Sequence, residues 1–308
     1  MNNLQLNIND YLNYCTSQKR LDTKTLKAYR IDLKQFTDFI SITEPSEITP
    51  NLLENYISFL HNNFKPKTVK RKIASLKALF HYFEYKDIIE YNPFNKLYIK
   101  FKEPVILPKV IPLSTIEKLL SAIYNQQITG NTFNKKHNSI RDAAVCELLF
   151  ATGIRISELC SLHDNDVDLQ NGIIKIYGKG SKERVLQIGN NATLKALTRY
   201  KSEFSDKIHA CGFFFVNNNS TPLSAQAVRR MLNKYTKLAN INMHITPHMF
   251  RHTFATCLLN ADVDIRYIQE MLGHSSINVT EIYTHVAIEK QGTILKEKHP
   301  RKFLNITH

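Results

Sequence analysis

The residues that could do chemistry lie in short motifs in the second half of the chain. The segment PHMFRHTFATC, residues 247–257, places His248 and His252 four positions apart with Arg251 between them. A histidine pair with this spacing on a helix can bind a metal ion. An arginine beside a histidine can instead bind a phosphate, because the guanidinium donates two parallel hydrogen bonds to phosphate oxygens. The segment alone leaves both kinds of site open.

The rest of the sequence argues against the metal. No glutamate follows His248, so the HExxH pattern of zinc peptidases is absent. The fixed charge of Arg251 opposes a second cation beside it. No Asp, Cys or His cluster in the sequence suggests the remaining ligands, so we predict no metal and no cofactor. Thr246 is expected to N-cap a helix with Pro247 at its first position, which puts His248 in a first turn that favours anions.

Two further motifs contain cationic side chains that could bind an anionic substrate. In TGIRISEL, residues 152–159, Arg155 follows a predicted helix end at Gly153, and Glu158 is its expected partner. The alternative there is an ion pair with a purely structural role. In GKGSKER, residues 178–184, Lys179 lies in the turn of a predicted hairpin. The spacing is not that of a P-loop, so ATP is not implied; Lys179 could donate a proton to a substrate or could simply be a solvated turn residue.

A last motif, LGHSSINVTEIYTHV at residues 272–286, contains His274 directly after a glycine and Tyr283 nine residues later. Tyrosines at helical spacing commonly belong to a core or an interface. The polar neighbours Thr280, Glu281 and Thr284 suggest instead that Tyr283 is presented to a ligand. We expect a short helix beginning at Ser275 or Ser276 to carry it.

Hydrophobic periodicity predicts the elements that must position these motifs. Apolar residues recur every three or four positions in residues 23–40 and 67–84, which indicates two amphipathic helices in the first part of the chain. Three prolines and no helical period in residues 98–112 predict an extended linker. Beyond it we predict helices at 139–152, 224–239 and 264–272, the last ending at Gly273, and a β-hairpin at 172–188.

The charge balance favours an anionic partner. The 308 residues carry 41 Lys and Arg against 27 Asp and Glu, a formal net charge of +14, which favours nucleic acid or a membrane surface. Between Tyr56 and Phe83 there are six basic residues and no acidic one. That stretch is either a solvated helix face or a face laid against a phosphate backbone, and the lack of acidic residues favours DNA.

Other sequence features limit the location of the protein. No apolar run reaches the ~18 residues that span a bilayer, and the N-terminal residues lack the pattern of a signal peptide. The five cysteines are scattered without CxxC spacing, which indicates free, mostly buried thiols in a reducing compartment. We therefore expect a cytoplasmic protein with no membrane partner.

Taken together, the motifs resemble those of the tyrosine recombinases, the phage-integrase family. Six motif positions occur in the family's order across residues 150–286, and the basic helical first part resembles the family's core-binding domain, so the likeness covers nearly the whole chain. The six positions, which the resemblance identifies as catalytic, are Arg155, Lys179, His248, Arg251, His274 and Tyr283.

The resemblance implies DNA strand exchange through a 3′-phosphotyrosyl intermediate. Tyr283 would attack the scissile phosphate, with His248 as base, because a phenol with a pKa near 10 is a weak nucleophile. Arg155 and Arg251 would bind the non-bridging oxygens and His274 would donate a further hydrogen bond. Lys179 would protonate the leaving 5′-oxygen. Glu158 would orient Arg155, and His252 would have a supporting or structural role.

The resemblance also implies a mainly α fold with a small β-hairpin or sheet, arranged as a two-domain DNA clamp. We expect a helical, SAM-like core-binding domain at 1–97, the linker at 98–112, and a mixed α/β catalytic domain with a C-terminal tail helix at 113–308. Predicted DNA contacts lie in the helices at 67–84 and 224–239. They are Lys67, Lys70, Arg71, Lys72, Lys77, Arg229 and Arg230.

Chain length and the ending EKHPRK resemble the Xer branch, which resolves chromosome dimers; integrases and invertases of mobile elements share the motifs and remain an alternative. An alternative of another class is an architectural DNA-binding protein without catalysis. The expected partner is double-stranded DNA. The resemblance implies a tetramer on two DNA sites, of this chain alone or with a partner recombinase, joined by tail helices that dock on a neighbouring subunit; docking of the tail on its own domain is the alternative. An accessory protein is a further possible partner.

Overall fold

A computed structural model describes residues 3–99, 109–178 and 183–273. The chain divides into two compact units, Met1–Val105 and Ile106–His308. The described residues are mostly helical with one small antiparallel sheet, which confirms the predicted fold class. None of the helices described combines the length and the apolar character that a membrane crossing requires.

The first unit contains four α-helices in the described residues. They are α1 (Asn3–Ser17), α2 (Thr23–Phe39), α3 (Pro50–Asn63) and α4 (Pro66–Tyr85). Their apolar faces meet in one core rich in buried aromatic rings, among them Tyr11, Phe36, Tyr56, Phe80 and Phe83. The helices predicted at 23–40 and 67–84 are confirmed as α2 and α4 to within one residue at each end.

One of the predicted DNA contacts in α4 is buried. Only 4% of the Lys72 side chain is exposed, and its ammonium donates to the Asp32 carboxylate at 3.0 Å and lies 4.9 Å from the Phe64 ring centroid. The prediction that Lys72 contacts DNA is therefore wrong. The count of charges along the chain shows the basic stretch but not the acidic residue on α2 that faces it, and a buried lysine requires such a partner.

The second unit contains eight α-helices and three strands in its described part. The helices are α5 (Leu113–Thr129), α6 (Phe133–Thr152), α7 (Ile156–Cys160), α8 (Asn191–Glu203), α9 (Ser205–Cys211), α10 (Ala225–Leu238), α11 (Pro247–Asn260) and α12 (Ile265–Leu272). Helix α6 is the centre of this unit, with an almost continuous run of buried residues from Ser139 to Leu149. It packs against α5, α8 and α11.

The strands are β1 (Val167–Asp168), β2 (Ile173–Tyr177) and β3 (Glu183–Gln187), in the order β1-β2-β3. Strands β2 and β3 form the predicted hairpin, with Ile173 opposite Gln187 and Tyr177 opposite Glu183. Alternation along β2 buries Ile174 and Ile176 and exposes Lys175 and Tyr177, as expected for a sheet with one face on the core.

Two helix ends were predicted at glycines, and both are confirmed. Gly153 ends α6 and Gly273 ends α12, each in the left-handed region, with φ of 59° and 63°. Helix α11 begins at Pro247 as predicted, although Thr246 occupies the N-cap position without a side-chain hydrogen bond. Residues 100–108 of the predicted linker and the predicted helix at Ser275 or Ser276 lie outside the described residues, as does the tail from residue 286. All five cysteines are free thiols, two buried and three half-buried.

Candidate active site

The left-handed turn at Gly153 directs the chain from α6 into α7. A Cβ atom at this position would lie 2.7 Å from the Phe254 ring, so only glycine lets α11 approach so closely. Two residues later Arg155 occupies the N-cap position of α7. The turn therefore places Arg155 between the end of the buried helix α6 and the start of α7.

Glu158 is the buried acidic residue of this region. It accepts hydrogen bonds from the Arg155 backbone N–H at 2.7 Å and from Arg155 Nη1 at 2.8 Å. Arg184 of β3 donates to both carboxylate oxygens, at 3.0 and 2.8 Å. Burial raises the pKa of Glu158, but the hydrogen bonds from Arg184 and Arg155 outweigh it and hold the pKa below its usual value. Glu158 is therefore an ionised carboxylate shared by two arginines.

Arg251 lies on the buried side of α11, with 5% of the residue exposed. Its Nη1 donates to the Gly153 carbonyl at 2.9 Å and its Nη2 to the Leu272 carbonyl at 2.6 Å. These bonds join α11 to the end of α6 and to the end of α12. The guanidinium is thus held in one orientation by two backbone carbonyls rather than by a carboxylate.

Three arginines from three different elements meet the C-terminal end of α12. Carbonyls in the last turn of a helix lack partners within the helix and carry partial negative charge, which favours cations. The donor–acceptor pairs are Arg184 Nε to Met271 O at 2.9 Å, Arg251 Nη2 to Leu272 O at 2.6 Å, and Arg155 Nη2 to Gly273 O at 3.3 Å. The structure therefore brings together Arg155 and Arg251, which are far apart in the sequence.

His248 lies in the first turn of α11, at the exposed edge of this group of cations. Burial lowers its pKa below the usual value, and the charges of Arg251, Arg229 and Arg155 lower it further. The pKa of His252 is lowered by burial and then by His248 and Arg251. Both histidines are therefore neutral at pH 7. A neutral imidazole can accept a proton, whereas an imidazolium cannot.

Comparison with known proteins supplies the family. Residues 111–290 match the model of the phage integrase family, and residues 8–86 match that of the phage integrase N-terminal SAM-like domain. A tyrosine recombinase of Agathobacter rectalis is 63% identical over 302 residues, which cover 98% of this chain and 99% of the relative. The chain belongs to the tyrosine recombinase family. It is an enzyme that cleaves and rejoins DNA at specific sites.

Two further similarities refine the comparison. A tyrosine recombinase named XerD from Listeria innocua is 36% identical over 303 residues, covering 96% of this chain and 98% of the relative. This similarity supports the Xer branch. The crystal structure of the XerH site-specific recombinase bound to a palindromic difH substrate, a post-cleavage complex, aligns with a TM-score of 0.71 at 22% identity over 92% of this chain and 83% of that chain. At that identity it shows the shared fold.

Three of the six residues that the resemblance marks as catalytic fall within the described part of this recombinase. Arg155, His248 and Arg251 lie together. Arg155 and Arg251 donate to carbonyls at the end of α12, and the charges of both lower the pKa of His248. Lys179, His274 and Tyr283 lie outside the described residues. Lys179 belongs to the segment that joins β2 to β3, and His274 is the residue after Gly273 in the sequence.

The sequence motifs marked the lysine of GKGSKER and not its last residue, Arg184, which the structure places beside Arg155 in the candidate site. Arg184 pairs with buried Ile176 across the hairpin and occupies the same face of β3 as buried Leu186. An arginine at an inward position of an alternating strand indicates a buried acidic partner, and that signal was present in the sequence. Among residues 3–99, 109–178 and 183–273, no group of three or more His, Cys, Asp or Glu side chains could hold a metal ion.

Proposed function

We propose that Arg155, Lys179, His248, Arg251, His274 and Tyr283 carry the strand cleavage of this Xer-like recombinase. The observation that supports this best is the convergence of Arg155 and Arg251 on the carbonyls of Leu272 and Gly273, directly before His274 in the chain. Two guanidinium groups held by the same helix end form a site for one anion with several oxygens.

The proposed reaction is an in-line attack of the Tyr283 oxygen on the scissile phosphorus. As the new P–O bond forms and the bond to the 5′-oxygen breaks, negative charge grows on the two non-bridging oxygens. Arg155 and Arg251 stabilise that charge, with a further hydrogen bond from His274. His248, neutral at pH 7 because its pKa is lowered, accepts the proton of the Tyr283 hydroxyl. Lys179 gives a proton to the leaving 5′-oxygen.

The 3′-phosphotyrosyl bond conserves the energy of the cleaved phosphodiester, so rejoining needs no nucleotide cofactor. A 5′-hydroxyl, from the same strand or from a partner strand, attacks the phosphorus and releases Tyr283 by the reverse of the same steps. Glu158 keeps the Arg155 guanidinium directed at the phosphate, and His252 supports His248 from the next turn of α11.

We infer that the described basic faces contact double-stranded DNA. On α4 the exposed residues Lys67, Lys70, Arg71 and Lys77 share one face at helical spacing. On α10 the exposed residues Gln226, Arg229, Arg230, Asn233 and Lys237 form a polar stripe opposite the buried Val228 and Leu232. Arginine, asparagine and glutamine are the side chains that read guanine and adenine in the major groove, so α10 is the better candidate for base contacts.

Assembly follows from the same proposal. Exchange between two DNA sites requires four cleavages, so we propose a tetramer of this chain, or of this chain and a partner recombinase, joined by its C-terminal tails. An Xer-like role on the chromosome is the first candidate, since the relatives named XerD and XerC are similar over nearly their whole length. A mobile-element integrase or invertase is the alternative.

The covalent intermediate supplies the decisive experiment. The whole chain is incubated with sheared genomic DNA of its source, protein–DNA adducts are isolated under denaturing conditions, and the attached DNA is sequenced. We expect reads that begin at one or a few positions, each with two inverted half-sites. A single chromosomal position supports the Xer role, and positions at the ends of a mobile element support the alternative. Binding to DNA without any covalent adduct would instead support an architectural protein.

The lowered pKa of His248 predicts the pH dependence of cleavage. A base must be neutral, so the cleavage rate should fall as pH drops through the pKa of His248, below its ordinary value of 6.5. Arg229→Gln removes a positive charge that lowers this pKa, so the pKa should rise and the acid limb should move to higher pH. Single-turnover cleavage between about pH 5 and 8, at protein concentrations that saturate the DNA, measures the shift.

Arg230→Gln is the matched control for this pH experiment. Arg230 is the next exposed arginine of α10, but it is not among the charges that lower the pKa of His248. We expect its acid limb to coincide with that of the unchanged protein. If both variants shift the limb equally, or neither does, His248 is not the base whose titration limits the rate.

The buried Lys72 and the exposed Lys67 predict opposite effects of two substitutions in one helix. Lys67→Gln should weaken DNA binding and reduce the slope of log K against log salt by about one, as for one lost phosphate contact. Lys72→Met should leave that slope unchanged but lower the free energy of unfolding by about 1–3 kcal/mol, because Asp32 loses the buried lysine that donates to it and keeps only its ion pair with Arg71. A salt titration of DNA binding and a urea unfolding curve measure the two effects. A changed salt slope for Lys72→Met would show that Lys72 does contact DNA.

A further inference from the structure

We propose that Arg184 is a positioning residue for strand cleavage, acting through Glu158 on Arg155. The inference rests on the proposed function, in which Arg155 binds the scissile phosphate. In the described part of the chain, the Arg184 guanidinium donates to Glu158 and to the Met271 carbonyl. Its effect on the reaction is expected because it determines where the Arg155 guanidinium lies and how much of its charge is available to the phosphate.

The placement of Arg184 is the first reason. It lies on the inward face of β3, opposite Ile176, and only 11% of its side chain is exposed. All three guanidinium nitrogens are used: Nε donates to the Met271 carbonyl at 2.9 Å, and Nη1 and Nη2 donate to the two oxygens of Glu158. A side chain bound at every nitrogen and shielded from water has one available orientation.

The second reason is that the contacts of Glu158 are divided equally between its two partners. Oε1 accepts from Arg155 Nη1 and Arg184 Nη1, and Oε2 accepts from the Arg155 backbone and Arg184 Nη2. One carboxylate between two guanidinium groups leaves a net positive charge to meet a phosphate. Without Arg184, Glu158 would neutralise Arg155 alone and compete with the phosphate for its hydrogen bonds.

The third reason is the fit of Arg184 against the end of α12. A Cβ atom at Gly273 would lie 2.9 Å from Arg184 Nη1, so the guanidinium is packed against the backbone at this glycine. Gly273 is also the residue whose carbonyl accepts from Arg155. Arg184 thus contacts both supports of Arg155, the Glu158 carboxylate and the helix end.

The test compares two forms of one DNA substrate. The DNA carries the site found by adduct sequencing and a nick that traps the covalent product. Its scissile group is either the natural phosphate or a methylphosphonate, in which an uncharged methyl replaces one non-bridging oxygen; both diastereomers are used. With the natural phosphate we expect Arg184→Gln to slow cleavage about 100-fold and Arg184→Lys about 10-fold, with DNA binding within about threefold.

If Arg184 acts through Arg155, removing the charged oxygen that Arg155 binds also removes the need for Arg184. On one methylphosphonate diastereomer the defect of Arg184→Gln should therefore shrink to about threefold. An Arg155→Ala variant, measured in parallel, should show a large defect with phosphate and the same relief. The matched control is Arg141→Gln, since Arg141 is equally buried, with 12% of its side chain exposed, and pairs with Asp142 at 2.8 Å. It should cleave both substrates at the unchanged rate.

The outcomes separate the two proposals. If Arg155→Ala shows the defect and its relief but Arg184→Gln is equally slow on all substrates, or is not slow at all, the positioning role of Arg184 is overturned while the proposed function stands. If Arg155→Ala cleaves the natural phosphate normally, the proposed function itself fails. If Arg184→Gln does not fold, judged by thermal unfolding, Arg184→Lys decides the question with the same pair of substrates.

Discussion

A Tyr283→Phe variant is expected to bind its DNA site with unchanged affinity and to form no covalent protein–DNA adduct. The substitution removes one oxygen atom, the proposed nucleophile, and keeps the aromatic ring. The proposed intermediate is a phosphodiester bond to that oxygen, which phenylalanine cannot form. The measurement is adduct formation on a nicked site, resolved on a denaturing gel, beside a binding titration. We expect the loss of adduct to be complete.

The matched control for Tyr283→Phe is Tyr267→Phe. Tyr267 is an exposed tyrosine of α12, with 61% of the residue exposed, close in sequence to the proposed nucleophile. This variant should form the adduct at the rate of the unchanged protein. An adduct that persists in Tyr283→Phe would show that another residue attacks the phosphate, and mass spectrometry of the peptide that remains joined to the DNA would identify it.

An Arg251→Lys variant is expected to bind DNA within a few-fold of the unchanged protein and to cleave it about 100- to 1,000-fold more slowly, the loss that follows removal of one donor to a developing oxyanion. Lysine keeps the charge but not the planar fork. A lysine can therefore replace only some of the hydrogen bonds of Arg251. These bonds are the two to the Gly153 and Leu272 carbonyls and those proposed to the phosphate oxygens.

The same substitution has a structural cost that must be measured separately. Arg251 is buried, and a carbonyl left without its donor costs about 1–3 kcal/mol of folding stability. A urea unfolding curve gives that loss, and cleavage is measured well below its midpoint. The control is Arg141→Lys, at a largely covered arginine of the same unit that pairs with Asp142; this variant should be destabilised but should cleave normally. Normal cleavage by Arg251→Lys would show that Arg251 has a structural role and does not stabilise the transition state.

The arginine variants differ in how much they are expected to destabilise the fold. Arg155 is partly exposed, and Glu158 keeps its two bonds from Arg184 when Arg155 is removed. Arg155→Ala therefore tests the chemistry with little effect on folding. Arg251 and Arg184 join elements that only tertiary structure brings together, so each of their variants needs a stability measurement beside the rate.

The sequence by itself determined the local features of this recombinase and the residue types of its site. Periodicity predicted α2 and α4, the glycines predicted the ends of α6 and α12, and alternating residues predicted the β2–β3 hairpin. These features depend on neighbours within a few positions along the chain, whose energetics a sequence displays directly. The residue types and the order of the motifs identified the family, because six such residues in a fixed order are rare by chance.

Only the tertiary structure decided which of those residues meet. The convergence of Arg155, Arg184 and Arg251 on the last turn of α12 depends on the packing of α11 against α6 and of α12 against β3. The burial of Lys72 depends on Asp32 in another helix. Both are contacts between residues distant in sequence, and a pattern of hydrophobic and charged positions shows which face of a helix is buried but not the partner that it meets. The arginine of GKGSKER therefore gained its place in the site from the acidic residue and helix end beside it.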